Sequence, residues 1–251
     1  MRALLHNLIL EFAAENPQVQ DGWQALFDLE IKTAAAQPET GSPDIRLAAV
    51  VTTHLPHPPA ARPSYIQPGT AGQGRPLRYY ETEHGGRLDL PRPAQITFDF
   101  LESAAQITLT PQGLDAGSLE DLTLIALSPF LRRRGFFMLH AFAAARESAV
   151  LLCGPPGSGK TTTGLALLKK GWRYLANDAA LLRDDAGQVK AYPSPGAINL
   201  HPRTLALLPD FQDRLPPVPQ PVRGGKHILS RGTLLLDQEH ADPTIVGTIL
   251  F

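Results

Sequence analysis

Hydrophobic and polar positions along the chain divide it into two stretches of different rhythm. Residues 1–14 and 22–36 space Leu, Ile, Phe and Ala as a helix would, and Asn16-Pro17 and Asp21-Gly22 punctuate the gap between them. Arg46–Thr53 is a β-rich run, and His54–Pro76 has no period and predicts a long loop. Short strands follow at Leu77–Thr82, Gly86–Leu90, Ala94–Leu101 and Ala104–Thr110. Within them, Gln95–Leu101 and Gln106–Thr110 alternate apolar with polar residues, as half-buried antiparallel strands do. Ser118–Leu131 predicts a helix with Ser118 as its cap. It stops at Arg132-Arg133-Arg134-Gly135, cations that suit a helix C-terminus followed by a glycine.

Beyond Phe136 the runs are shorter and more apolar. Phe136–Ala144 and Ala149–Cys153 are strand-like, with Arg146-Glu147-Ser148 as the turn between them. A glycine loop and a helix over Lys160–Lys170 come next. Trp172–Ala176, Ala179–Leu182, Val189–Tyr192 and Ala197–Leu200 then read as short strands. The expected organisation is an α+β region over residues 1–115 followed by an α/β domain over 116–251, with the boundary near 115–135. The final run, Thr244–Phe251, is apolar and strand-like. It predicts either a strand tied into a sheet or a chain lacking a further C-terminal portion.

Composition narrows the function. With 23 basic against 24 acidic residues the net charge is −1, which gives no overall field for nucleic acid or an anionic membrane. One cysteine, Cys153, excludes an internal disulfide and fits a reducing cytoplasm. No apolar run approaches the roughly 18 residues that span a bilayer. The 24 prolines cluster between Pro56 and Pro93 and between Pro193 and Pro221, so they mark connections and not a uniformly stiff chain.

The most informative segment is Gly154-Pro155-Pro156-Gly157-Ser158-Gly159-Lys160-Thr161, which fits G-x-x-x-x-G-K-[ST] between an apolar strand and a helix. A triphosphate is a dense anion that backbone N–H groups must approach closely, and side chains would obstruct them. Gly154, Gly157 and Gly159 leave that room and permit positive φ, and the helix start adds the positive end of its dipole. Lys160 is placed for the β and γ phosphates and the Thr161 hydroxyl for Mg²⁺. These residues, with Thr162, predict a nucleoside triphosphate site. Asp178 stands eighteen residues after Lys160 at a strand end, where a metal-facing or base carboxylate would sit; a turn or capping aspartate suits the position equally.

Taken together, Leu139-His140-Ala141, the loop from Leu151 to Thr162, and Lys170-Gly171-Trp172-Arg173-Tyr174-Leu175-Ala176-Asn177-Asp178 resemble the C-terminal catalytic domain of HPr kinase/phosphorylase. They resemble more closely still the HPr-kinase-like serine kinases, whose fold is related to phosphoenolpyruvate carboxykinase. The resemblance covers about residues 135–235 and implies a mixed β-sheet around a P-loop (Walker A). It also implies ATP and Mg²⁺ as cofactors and phosphoryl transfer to a serine hydroxyl. On it, Gly154 to Thr161 hold ATP, Thr161 and Asp178 face the metal, and Asp178 is the second of two family aspartates, the first being Asn177 here. Because Asn takes no proton, the base role rests on Asp178. His140 falls within about one residue of a family histidine beside the acidic pair, and a core histidine on a strand is the alternative reading.

Two departures qualify the match. Thr162 stands where the bacterial enzymes carry Glu, and Pro195-Gly196-Ala197-Ile198-Asn199-Leu200 replaces their acidic, arginine-containing signature. The expected acceptor is therefore a serine-bearing peptide, protein or small molecule other than HPr. An NTPase coupled to a partner and a non-catalytic nucleotide-binding module stay open beside the kinase. In the family, material follows the core domain, so a missing helix or an intersubunit contact, and with it a homo-oligomer, are the readings of the apolar end.

Among other features, Arg223-Gly224-Gly225-Lys226-His227 reads as a cationic loop over phosphate or as a solvated turn. His54 and His57 lie among prolines with no third ligand in view, which argues against a metal site. Cys153 reads as a small buried residue at a strand end.

Overall fold

The computed structural model describes residues 1–33, 41–68, 76–91, 93–114, 116–213, 227–229 and 242–251. The protein is mixed α/β, with two mixed sheets and few helices. It divides into two compact units, Met1–Phe130 and Leu131–Phe251. The helix Ala116–Arg133, which the sequence reading places in the second part, packs on the first. Trp23 Nε1 donates to Thr123 Oγ1 at 2.8 Å, and Phe130 meets the rings of Phe98 and Phe100.

The first unit opens with β1 (Arg2–Leu5), β2 (Leu8–Ala14) and α1 (Pro17–Thr33), followed by β3 (Ile45–Val51) and the short β4 (Tyr65–Gln67). A meander of β5 (Leu77–Thr82), β6 (Gly85–Asp89), β7 (Ala94–Asp99) and β8 (Ala104–Leu109) precedes α2 (Ala116–Arg133). The sheet order is β1-β2-β3-β8-β7-β6-β5-β4, parallel at β2/β3 and β3/β8 and antiparallel elsewhere.

The expected helix over residues 1–14 is instead a hairpin. Ala3, Leu5, Leu10 and Phe12 are all buried, a period of two that the spacing of Leu and Ile concealed, and His6 turns the chain at φ 57°. Ser118 is not the cap of α2 but lies inside its first turn. The helix stops as expected, with Gly135 at φ 82° and its N–H donating to Arg132 O.

The second unit contains β9 (Phe136–Leu139), β10 (Phe142–Ala145), β11 (Ala149–Leu152), α3 (Lys160–Lys169), β12 (Arg173–Ala176), β13 (Ala180–Asp185) and β14 (Gln188–Tyr192). After them come β15 (Ile198–Leu200), α4 (Pro202–Leu207), β16 (His227–Leu229) and β17 (Thr244–Leu250). The single strand expected over Phe136–Ala144 is broken at His140-Ala141, and its halves lie far apart in the sheet order β12-β10-β11-β17-β14-β13-β9. The apolar end, β17, is a sheet strand, parallel to β11 and antiparallel to β14.

The two faces of this sheet carry different residues. On one, Phe142, Leu152 and Tyr174 pack with Leu165 and Leu168 of α3 and with Leu205 and Phe211. On the other, alanines 141, 143, 145, 149, 176, 180 and 191 pack with Leu151 and Leu175. Residues this small let β12 approach β13 and β14, which are not its neighbours in the sheet order. Gly164 serves the larger face, since a Cβ there would run into the ring of Phe142. The glycine lets α3 sit tightly on β10.

Among the described residues, no helix is long and apolar enough to cross a membrane. The proposed cationic loop Arg223–Lys226 lies outside the described residues.

Candidate functional site

The loop Gly154–Gly159 leaves β11 and enters α3 without a side-chain cap. Gly154, Gly157 and Gly159 adopt φ 140°, 83° and 92°, the left-handed region that excludes most side chains. No atom lies within 4 Å of a Cβ built at Gly157 or Gly159, so these two are required for conformation and for open space, not for internal packing. The first turn of a helix has N–H groups without intrahelical partners. With Gly159 as the cap residue, those of α3 face the loop's opening.

Lys160 is largely buried, and its ammonium folds back on the loop, donating to Gly154 O at 2.8 Å and Pro155 O at 3.3 Å. Both acceptors are neutral carbonyls, and among the described residues no carboxylate forms an ion pair with Lys160. An anion entering the loop would meet a cation already held beside its backbone donors.

The end of β12 supplies the second half of the site. Asn177 is buried and Asp178 exposed. The Thr161 hydroxyl donates to Asn177 Oδ1 at 3.3 Å. Asn177 Nδ2 in turn donates to Asp178 Oδ2 at 3.1 Å and to Ala197 O at 3.4 Å. Asp178 has φ 65°, and the chain turns tightly there, with Ala179 N–H donating to Asn177 O. A non-glycine residue in this region stores strain, a feature that concentrates at functional sites.

His140 sits in the break between β9 and β10 and is exposed, so it is not a core histidine on a strand. Its Nδ1 lies 3.0 Å from Asp178 O. A carbonyl only accepts, so Nδ1 carries the hydrogen and donates in this contact.

A cavity of about 380 Å³ brings these groups together. His140, Pro156, Gly157, Gly159, Lys160, Thr161, Thr162 and Asp178 line it on one side. Gly154, Pro155 and Ser158 complete the loop without lining the cavity. The opposite wall is Asn199, His201, Arg203 and Thr204, four residues the sequence reading missed. Their local signal is Pro202 at the first position of α4, with the His201 ring capping the helix by accepting Arg203 N–H at Nδ1 (3.1 Å). Thr162 and Thr204 join the walls through their hydroxyls at 2.9 Å. Thr162 therefore links loop to wall.

The donor set fits a hard, oxygen-preferring cation. Thr161 donates its proton to Asn177 and so keeps lone pairs free, and Asp178 adds one carboxylate. Among the described residues no three His, Cys, Asp or Glu side chains converge, here or elsewhere, so the protein side of such a site is this hydroxyl and this carboxylate. One hydroxyl and one carboxylate suit Mg²⁺, which completes its shell with phosphate and water oxygens. No protein-family model matches the sequence, and a search of the curated proteins finds no match.

Proposed function

We propose that the second unit transfers the γ-phosphoryl of ATP to a serine hydroxyl on a peptide, protein or small molecule. This is the activity that its resemblance to HPr-kinase-like serine kinases, of the phosphoenolpyruvate-carboxykinase-related fold, implies. One observation carries the reading: Lys160, Thr161 and Asp178 line a single cavity with the glycine loop.

The loop amides and Lys160 hold the phosphates of the nucleotide substrate, and Lys160 leaves its two carbonyl partners to do so. Bound Mg²⁺ would neutralise phosphate charge, with Thr161 Oγ1 and the Asp178 carboxylate as its protein ligands. Asp178 takes the proton of the incoming hydroxyl. Asn177 holds Thr161 and Asp178 in one arrangement. His140 steadies the strained turn at Asp178 through its Nδ1–H and presents Nε2 to the cavity. The net charge of −1 and the single cysteine support a cytoplasmic enzyme with no nucleic-acid partner.

The test is incubation with γ-labelled ATP, Mg²⁺ and host-cell extract. The expected result is label on a seryl oxygen of an acceptor, and loss of that label with Lys160→Ala while the fold is kept. Release of all label as inorganic phosphate would make the protein an NTPase. Binding of ATP with no loss of label would make it a non-catalytic module. Full transfer by Lys160→Ala would overturn the site assignment.

A further inference from the structure

The first unit contains a larger cleft, about 790 Å³, on the sheet face beneath the proline-rich segment Thr53–Pro58. That segment is strapped to the sheet by Arg87, whose Nη1 donates to His57 O at 2.8 Å and Nη2 to Pro56 O at 2.9 Å. Arg87 also pairs with Asp89 through Nε to Oδ1 at 2.6 Å.

Two polar side chains lining this cleft each carry a buried oxygen with no hydrogen-bond partner among the described residues. Gln95 is 4% exposed and Thr110 7%, and neither Gln95 Oε1 nor Thr110 Oγ1 makes a hydrogen bond. An acceptor removed from water and left unpaired is costly, so such atoms mark places where a donor is missing. They are unexpected in this position. Gln95 occupies the polar side of β7, which alternation alone would leave in water.

Cross-strand register explains what the missing donor belongs to. Arg78 on β5 is directly opposite Asp89 on β6, and Asp89 is directly opposite Gln95 on β7. Directly opposed residues share a face, and all three line the cleft. One row therefore presents a cation, an anion and a neutral acceptor at strand spacings of about 4.8 Å. Among the described residues Arg78 has no ion pair, and Asp89 uses only Oδ1 on Arg87. Leu55, Pro56, Pro58, Leu90 and Pro93 supply an apolar wall beside this row.

We propose that this cleft binds a free α-amino acid. Its ammonium sits between Asp89 Oδ2 and Gln95 Oε1, its carboxylate pairs with Arg78, and its side chain lies along the proline wall near Thr110. The amino and carboxylate groups of an α-amino acid are separated by less than one strand spacing, a gap that the flexible Arg and Gln side chains close. The site shares no residue with the phosphate-loop cavity and does not depend on the kinase reading.

The experiment is calorimetric titration of the full chain with each of the twenty L-amino acids, then with N-acetyl and C-amide forms of the best binder. One or more free amino acids should bind, and each capped form should bind at least about tenfold more weakly, the loss of one charge-assisted contact. Arg78→Met should weaken the free amino acid about tenfold and leave its C-amide unchanged. Gln95→Leu should weaken binding while leaving the melting temperature of the protein alone equal or higher, because it removes an unpaired acceptor. If Gln95→Leu does not fold, Arg78→Met, at a partly exposed position, decides the matter. The proposal is overturned if no amino acid binds, if capped forms bind equally, or if Arg78→Met binds the free amino acid as the parent does. ATP binding should be the same in both variants.

Discussion

The hydroxyl of Thr161, in the first turn of α3, donates to Asn177 Oδ1 at the end of β12 across 3.3 Å. The same amide donates to the carboxylate of Asp178. A single uncharged side chain thus fixes both oxygens that face the metal in the proposed reaction. An aspartate at position 177 would still accept from Thr161 but could not donate to its neighbour.

Asn177→Asp should therefore move the acid limb of the pH–rate profile for phosphoryl transfer to higher pH. Two adjacent carboxylates compete for one proton, and the second titrates above the ordinary range. Asn177→Ala removes both hydrogen bonds and should lower the rate roughly 10- to 100-fold, about 1.4–2.7 kcal/mol, with a smaller change in ATP affinity. An unshifted profile for Asn177→Asp would show that Asn177 does not act through Asp178.

How much of this was legible in the sequence depended on whether the signal was local. The meander from Leu77 to Leu109, the stop of α2 and the loop into α3 were readable because turn residues and alternation sit within a few positions of one another. The hairpin at residues 2–14 was not. Leu4, Leu5, Leu8, Ile9 and Leu10 satisfy a helical spacing as well as a strand one, and only pairing with β3 decides between them. In the site, Lys160, Thr161 and Asp178 were readable from the motif and its spacing. The wall from Asn199 to Thr204 was not, since its place opposite the loop comes from packing of α4 under the sheet.

Gly164 gives a second prediction, in which a helix-favouring change should destabilise. In isolation, Gly→Ala within a helix gains about 1 kcal/mol. Here the added Cβ would meet the Phe142 ring, which belongs to a packed cluster that includes Leu165 and Tyr174. Overpacking should win, and Gly164→Ala should lose about 1–3 kcal/mol in denaturant unfolding. Adding Phe142→Leu should recover part of that loss through a coupling of about 0.5–3 kcal/mol. Additive effects of the two substitutions would show that the ring is not what excludes the methyl group.

The hairpin of β13 and β14 supplies a prediction about pH. Asp185 Oδ2 accepts from Lys190 Nζ at 2.9 Å and from Tyr192 Oη at 3.3 Å. The Lys190 hydrogen bond and charge hold the Asp185 carboxyl below its ordinary range, and the same contact raises Lys190 above its own. A depressed carboxyl contributes stability above its unfolded-state value and loses it as pH falls through the folded one. A raised ammonium contributes below its unfolded-state value and loses it as pH climbs past the folded one. Parent and Lys190→Met should thus differ most in melting temperature across neutral pH. That difference should shrink as pH falls from the ordinary carboxylate range through the lower folded-state range of Asp185, and in high salt, which screens an exposed pair. The acid side is the cleaner test. Tyr192, raised first by burial and then by Asp185, titrates together with Lys190 on the alkaline side. A difference that stays constant from pH 7 to pH 2 would show that Lys190 acts through packing of its stem and not through Asp185.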